Sequence, residues 1–202
     1  DLKTPLNIIV LNVELLKMRL RGMSPEIAED PKIDEHCRAL ERESTRISVL
    51  ADAFLSVAQP PEEDEPERIE ALALFREALE NLGFRLPELS QHQLEVTTFR
   101  SRLEKCVKLV GEGIASEIAP AESVVEISIA EGVLFISVEG PCRDADRGVD
   151  SLFKFYSVDT TGEPRPILAT ARLLLETIGG SFTVEAGDEG IARFLIRLQG
   201  DQ

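Results

Sequence analysis

The sequence is short of residue types that mark several common protein classes. It contains no tryptophan and one tyrosine, so any core that it builds is mainly aliphatic. Its three cysteines, Cys37, Cys106 and Cys142, are odd in number and far apart, and they form no CxxC pair with histidine at metal-ligand spacing. Such cysteine usage is typical of a reduced compartment, and we expect a cytoplasmic protein.

Positive charge is also scarce. The chain has 22 Lys and Arg against 37 Asp and Glu, which gives a formal net charge of −15 at pH 7. Nucleic-acid binding takes its affinity from the neutralisation of phosphates, so this excess argues against a nucleic-acid partner and equally against an anionic membrane surface. No apolar run approaches the roughly 20 residues of a membrane span, so we expect no membrane contact by this chain.

The first 59 residues predict two amphipathic helices. Apolar residues recur at spacings of four and three in the first helix, at Leu2, Leu6, Ile9, Val13, Leu16 and Leu20. After a break near Gly22 and a helix start at Asp30-Pro31, a second stripe follows at Ile33, Cys37, Leu40, Ser44, Ile47, Ala51 and Phe54. Stripes of this kind bury one seam against other helices.

A short connection between two such helices makes an antiparallel hairpin, which cannot bury its seam alone. We therefore expect a homodimeric four-helix bundle through residues 1–59. A monomeric hairpin that packs on the rest of its own chain is the alternative.

A charged, proline-rich linker at 60–67 separates this hairpin from a second domain at 68–202. The pattern there predicts helices at 69–82, 102–118 and 167–178, a short strand at 94–98, and hairpins at 124–138 and 181–198. Helices that alternate with hairpins indicate an α/β sandwich, in which helices cover one face of a mostly antiparallel sheet. The fold class is therefore α+β: a helical hairpin followed by a sandwich.

Three segments resemble the sensor histidine kinases. The start, Asp1-Leu2-Lys3-Thr4-Pro5-Leu6, is similar to the phosphoacceptor box of that family, whose histidine would be the residue before Asp1 and lies outside this sequence. The segments "SLFKFYSVDTTGE" and "GGSFTVEAGDEGIARFLIRL" resemble the Phe-rich segment and the closing strands of the histidine kinase and GHKL ATPase domain. The resemblance covers nearly the whole chain.

The resemblance implies catalytic roles for Asp1 and Thr4. Asp1 would polarise the phosphoacceptor imidazole, and Thr4 would hold a water for dephosphorylation of a partner's aspartyl phosphate. If no histidine precedes Asp1, both are ordinary first-turn residues. His36 cannot replace that histidine, because it lies about 25 Å along the bundle from Asp1 at 1.5 Å per residue. We expect His36 and His92 to be surface residues.

The expected partner is the receiver domain of a response regulator. It would dock on the half of the helical bundle near Asp1. The residues that we expect to contact it are Leu6, Val10, Phe54 and Leu55.

Three of the four sequence features with which this family holds ATP are missing. Leu109 and Gly113 stand where asparagines are expected, and neither supplies the side-chain oxygen that magnesium needs. Glu139-Gly140-Pro141 replaces the adenine-reading Asp-x-Gly-x-Gly segment. Residues 162–168 carry Glu163 and two prolines where a glycine-rich phosphate loop is expected. The fourth feature, the Phe-rich segment, is present. We expect that ATP and magnesium binding are lost and that no cofactor is bound.

Three functions remain open at this point. The first is a His–Asp phosphotransferase, which passes a phosphoryl group between receiver domains or from an upstream histidine kinase and needs no ATP of its own. The second is a non-catalytic pseudokinase scaffold that binds a response regulator or a kinase. The third is a divergent but active histidine kinase. The residue before Asp1 distinguishes the first two, and calorimetry with Mg-ATP tests the third.

Overall fold

The computed structural model describes residues 3–22, 31–62, 65–88, 93–143, 148, 151–155, 165–187 and 190–201. Asp1 and His92, for which the sequence predicts roles or positions, lie outside the described residues. The chain divides into two compact units, with a boundary between Ser56 and Val57. Each unit has its own packing.

The first unit contains two long helices, α1 (Lys3–Arg21) and α2 (Pro31–Ala58). Both lie where the heptad spacing predicts them. An ion pair between Lys17 and Glu41 connects the two helices. No helix in the described part of the chain combines the length and the apolar character needed to cross a bilayer.

The two helices leave much apolar surface uncovered. In the first unit the buried side chains among the described residues are small or polar, with one valine: Val13, Cys37, Ser44 and Ala53. Eight large apolar side chains are 43–59% exposed, and they are Ile9, Leu11, Leu15, Leu16, Met18, Leu40, Ile47 and Phe54. Among the described residues of the second unit, two large apolar side chains are exposed, Val124 at 64% and Phe135 at 40%.

The second unit alternates helices and antiparallel strands. In chain order its elements are β1 (Glu67–Glu70), α3 (Ala71–Asn81), β2 (Glu95–Thr98), α4 (Arg100–Glu117), a short 3₁₀ helix (Pro120–Glu122), β3 (Val124–Ala130), β4 (Val133–Pro141), α5 (Ile167–Thr177), β5 (Gly180–Ala186) and β6 (Ile191–Gln199). Strands β1 and β2 form a two-stranded sheet, and the other four form a sheet in the order β3-β4-β6-β5. All strand pairs are antiparallel, as the sequence predicts.

One predicted boundary is wrong. The apolar spacing predicts a helix from Ile69, whereas the structure has a strand up to Glu70 and begins the helix at Ala71. Ile69 pairs with Val96 of β2 and is 3% exposed, so long-range pairing overrides the local pattern. The Glu70 carboxylate then accepts a 2.6 Å hydrogen bond from the Ala73 amide and caps the new helix start.

The core of the second unit lies between its helices and one face of the four-stranded sheet. Alternate residues of the central strands point into it, among them Ile136 and Val138 of β4 and Phe194 and Ile196 of β6. Phe182 of β5 is fully buried there and meets the Phe153 ring edge-on, with the ring centroids 5.0 Å apart. The residues between them, such as Phe135, point to the opposite face of the sheet.

The end of the chain joins the small sheet to the large one. After β6, the amide of Asp201 donates to the Glu95 carbonyl at 2.9 Å. The amide and the hydroxyl of Thr97 donate to the Asp201 carboxylate at 3.0 and 2.6 Å. These hydrogen bonds favour the ionised form and lower the pKa of Asp201 from its usual value.

The hydrogen bonds that Thr97 donates to the Asp201 carboxylate predict a pH dependence of stability. Because its folded-state pKa is lowered, its contribution to stability is present above the ordinary aspartate pKa and is lost as the pH falls through the lowered value. In an NMR titration that follows the Thr97 amide, we expect a midpoint below 3.8, the ordinary value. Thr97→Val keeps the amide donor and removes the hydroxyl, so it should raise the midpoint. A wild-type midpoint at or above the ordinary value would contradict the claim that these hydrogen bonds lower the pKa of Asp201.

Candidate functional site

The residues that replace the magnesium-binding asparagines lie on α4. Leu109 is partly buried and packs on the core. Gly113 lies directly against α5: a Cβ atom at Gly113 would be 2.6 Å from Cδ2 and 3.2 Å from Cγ of Leu168. The two helices therefore approach so closely at this point that even a methyl group would not fit without a shift.

The seam between α4 and α5 stays apolar on the N-terminal side of Gly113. The Cys106 thiol lies 3.9 Å from the Ala171 carbonyl, which is its hydrogen-bond acceptor. Burial without a charged partner raises the pKa of Cys106 to about 12. The thiol is therefore protonated at neutral pH and acts as a packing group, neither as a nucleophile nor as a metal ligand.

Glu112, the neighbour of Gly113 in the sequence, is engaged on another side of α4. Its carboxylate lies 3.9 Å from the Lys108 ammonium and lines a groove between α4 and α3, so it is on the opposite side of α4 from Leu168. Among the described residues, no group of three His, Cys, Asp or Glu side chains could hold a metal ion.

Glu117, the last residue of α4, is a buried carboxylate that sequence reasoning missed. It is 5% exposed, and its Oε1 lies 3.8 Å from the Arg165 guanidinium. Its backbone carbonyl accepts a 2.8 Å hydrogen bond from the Arg143 amide. Glu117 thus fastens α4 both to the segment after β4 and to the segment before α5. The signal was its spacing, since Val110, Ile114 and Glu117 share one buried helix face.

Glu139, the displaced candidate for reading adenine, faces the wrong side of the sheet. It is opposite Arg193 in the pairing of β4 with β6, and the two side chains form an ion pair there. The hydrogen bond from Arg193 to Glu139 is the main cause that raises the pKa of Arg193. Because Glu139 alternates with the buried Val138, its carboxylate lies on the face away from the helices.

The segment after the central hairpin is an extension of β4. The strand continues to Pro141, and Gly140 is buried with Ser123 and Ile118 3.3–3.4 Å from where a Cβ would be. The Cys142 amide donates to the Gly190 carbonyl at 2.9 Å, and Cys142 forms an isolated bridge with Ile118. The Cys142 amide is therefore used within the fold.

The backbone carbonyl at the start of α5 is also used within the fold. Pro166 is the N-cap residue, and its carbonyl accepts hydrogen bonds from the Thr170 amide and hydroxyl, both at 2.8 Å. Pro166 has no amide hydrogen to offer. Ile167 and Leu168 begin the helix, and Leu168 is 1% exposed. Gly162 and Glu163, which the sequence places in this feature, lie outside the described residues.

The predicted phosphotransfer and docking residues belong to the first unit. Asp1 lies outside the described residues. Thr4 and Leu6 lie within α1, and their side chains are outside the described part. Val10 and Leu55 are half-buried, and Phe54 is 53% exposed on α2.

The contact between Gly113 and Leu168 predicts strong coupling between the two residues. Gly113→Ala gains about 1 kcal/mol of helix propensity, but overpacking costs about 1–3 kcal/mol, so we expect a net loss of about 1 kcal/mol. Leu168→Ala should cost about 2–5 kcal/mol. The double variant should be more stable than the sum by about 1 kcal/mol, because the new methyl fills part of the cavity.

Urea unfolding followed by circular dichroism measures these differences. Gly148→Ala is the matched control, because nothing lies within 4 Å of a Cβ there. We expect it to change stability by less than about 0.5 kcal/mol. Additivity of Gly113→Ala and Leu168→Ala would show that the two helices are not held at this contact.

The fold can now be compared with those of known proteins. No protein-family model and no curated protein sequence matches the chain. Solved structures do match. Full-length ShkA in complex with AMPPNP is 17% identical with a TM-score of 0.52, and the match covers 98% of this chain and 44% of ShkA. This chain therefore spans less than half of that protein.

Two further solved structures match this chain over nearly their whole length. The Acinetobacter baumannii histidine kinase AdeS is 16% identical with a TM-score of 0.51, and the match covers 100% of this chain and 98% of that one. The mycobacterial sensor histidine kinase MprB is 18% identical with a TM-score of 0.50, over 67% of this chain and 97% of that one. The resemblance noted in the sequence is confirmed at the level of the fold: the chain has the fold of sensor histidine kinase structures.

Proposed function

We propose that the protein is a two-component signalling protein that transfers phosphoryl groups between histidine and aspartate and binds no nucleotide. The observation that carries the proposal is the contact of Gly113 with Leu168, which closes α4 onto α5. The family's magnesium ligand and phosphate loop belong to these two elements. The free cysteines are consistent with a cytoplasmic site of action.

The chemistry of the closed seam supports the loss of ATP binding. A metal-bound triphosphate needs side-chain oxygens for the metal and backbone amides for the phosphates. The seam presents the buried side chain of Leu168 and the thiol of Cys106 instead. The buried carboxylate of Glu117, already engaged by Arg165, would repel a triphosphate.

The phosphotransfer step itself would take place on the first unit. An imidazole nitrogen of a histidine before Asp1 attacks the phosphorus of a receiver's aspartyl phosphate, so that a P–N bond forms and the P–O bond to the aspartate breaks. The aspartate leaves as a carboxylate, and Asp1 holds the proton on the other imidazole nitrogen. Thr4, one turn along α1, would position water for hydrolysis of the aspartyl phosphate.

Receiver docking would use the end of the helices that carries these residues. Leu6 and Val10 on α1 and Phe54 and Leu55 on α2 form the proposed surface. Phe54 is 53% exposed, and an exposed aromatic side chain is a common anchor of protein interfaces.

The exposure pattern of α2 supports the proposed homodimer. Its heptad stripe consists of two rows. Cys37 and Ser44, seven residues apart, are both buried at 4% exposure. Leu40 and Ile47, at the same interval, are 49% and 48% exposed. One row is used within the unit, and the other is available to a second copy, as a four-helix bundle requires.

The dimer proposal predicts opposite outcomes for two substitutions on α2. Ile47→Glu places a carboxylate in the exposed apolar row, and a two-fold interface would bury this carboxylate twice. We therefore expect the dissociation constant of the dimer to rise by about 100-fold or more. Thr45→Glu adds the same charge on a different side of the helix, where Thr45 is exposed. It should leave the dimer unchanged. Sedimentation equilibrium measures both, and equal effects would contradict the proposed interface.

The phosphotransfer proposal is tested with protein that includes the residues before Asp1. After incubation with a panel of phosphorylated receiver domains, we expect an acid-labile phosphoryl group to appear on the protein. Asp1→Ala should slow this transfer by about 100-fold, the contribution typical of one acid–base group. Met18→Ala, at an exposed position near the other end of α1, is the control.

Two outcomes would favour the other candidates. Tight receiver binding without transfer would indicate the pseudokinase scaffold, for which the exposed Phe54 surface is equally suited. Micromolar binding of Mg-ATP in calorimetry, or labelling from ATP alone, would indicate an active kinase and would overturn the closed-site proposal.

A further inference from the structure

A groove of about 470 Å³ runs between α3 and α4, on the side of α4 away from α5. Its floor is apolar and includes Leu74, Ala78 and Val107. Carboxylates of Glu77 on α3 and Glu104 on α4 lie along it. The residues that line it belong to the second unit.

The groove is negatively charged. The Lys108 ammonium in its lining lies 3.9 Å from the Glu112 carboxylate, which offsets its charge. Glu104 shares Arg100 with Glu67, and Arg100 is closer to Glu67, at 2.6 Å, than to Glu104, at 3.6 Å. With Glu77 included, the groove lining thus holds three carboxylates and one ammonium group.

The end of α3 adds to this negative potential. Asn81, its last residue, and Leu82 line the groove. The last turn of α3 contains no basic residue, so its partial negative charge is not offset from within the turn. A cation supplied by a partner would complement both this helix end and the Glu77 and Glu104 carboxylates.

We propose that this groove docks an amphipathic, basic helical segment of a partner protein. Apolar side chains of the segment would cover Leu74, Ala78 and Val107, and its Lys or Arg side chains would pair with Glu77 and Glu104. This is the helix-in-groove mode of recognition, and the charge of the groove selects basic over acidic helices.

The probe is a fluorescein-labelled helical peptide with leucines on one face and lysines on the other. A matched peptide with glutamate in place of lysine is the first control. Fluorescence anisotropy with the full chain should show binding of the basic peptide and none of the acidic one. Binding of the acidic peptide with equal affinity would overturn the proposal.

Charge variants separate the groove from the general acidity of the chain. Glu77→Lys with Glu104→Lys should weaken binding of the basic peptide at least tenfold. Glu122→Lys with Glu131→Lys makes the same change in net charge at exposed positions outside the groove lining, and it should weaken binding less than twofold. If both double variants weaken binding equally, the peptide responds to the net charge of the protein and the groove is not its site.

A third variant tests the groove without any change of charge. Ala78→Phe places a ring over the apolar floor and should weaken binding at least tenfold. Circular dichroism checks that Ala78→Phe is folded. If it is not folded, the charge variants provide the test of the groove. Undiminished binding by folded Ala78→Phe would also overturn the proposal.

Discussion

The close approach of α4 and α5 at Gly113 is the contact on which the second unit depends. Only a residue without a side chain allows Leu168 to come within 2.6 Å of the Cβ position. Leu168 is consequently buried, and Cys106 closes the same seam against Ala171. The free energy of this seam comes from apolar burial, which rewards contact between the helices and offers nothing to a hydrated metal or a phosphate.

Glu117 explains how polar segments remain fastened around this apolar seam. A buried carboxylate is costly unless it is paired, and Arg165 provides the pair while the Arg143 amide uses the neighbouring carbonyl. The segment after β4 and the segment before α5 are in this way both bonded to the end of α4.

The sequence predicts elements well where local chemistry decides them. Glu131-Gly132 predicts a hairpin turn, and both residues adopt the positive φ, 53° and 73°, that such turns need. It fails at Ile69, because a four-residue strand is specified by pairing with Val96, 27 positions away, and not by its own letters. Glu117 was missed for a related reason: a charged residue reads as exposed until its partner, Arg165, is brought near by the fold.

The two units differ in how much of their own apolar surface they bury. The second unit buries whole strands and helices in one core. In the described part of the first unit, Val13, Cys37, Ser44 and Ala53 are buried, which is too little apolar area to offset the ordering of two long helices. In the homodimer that we propose, a second copy would cover the exposed side chains of Leu40 and Ile47. Folding of the first unit would then be linked by mass action to its association.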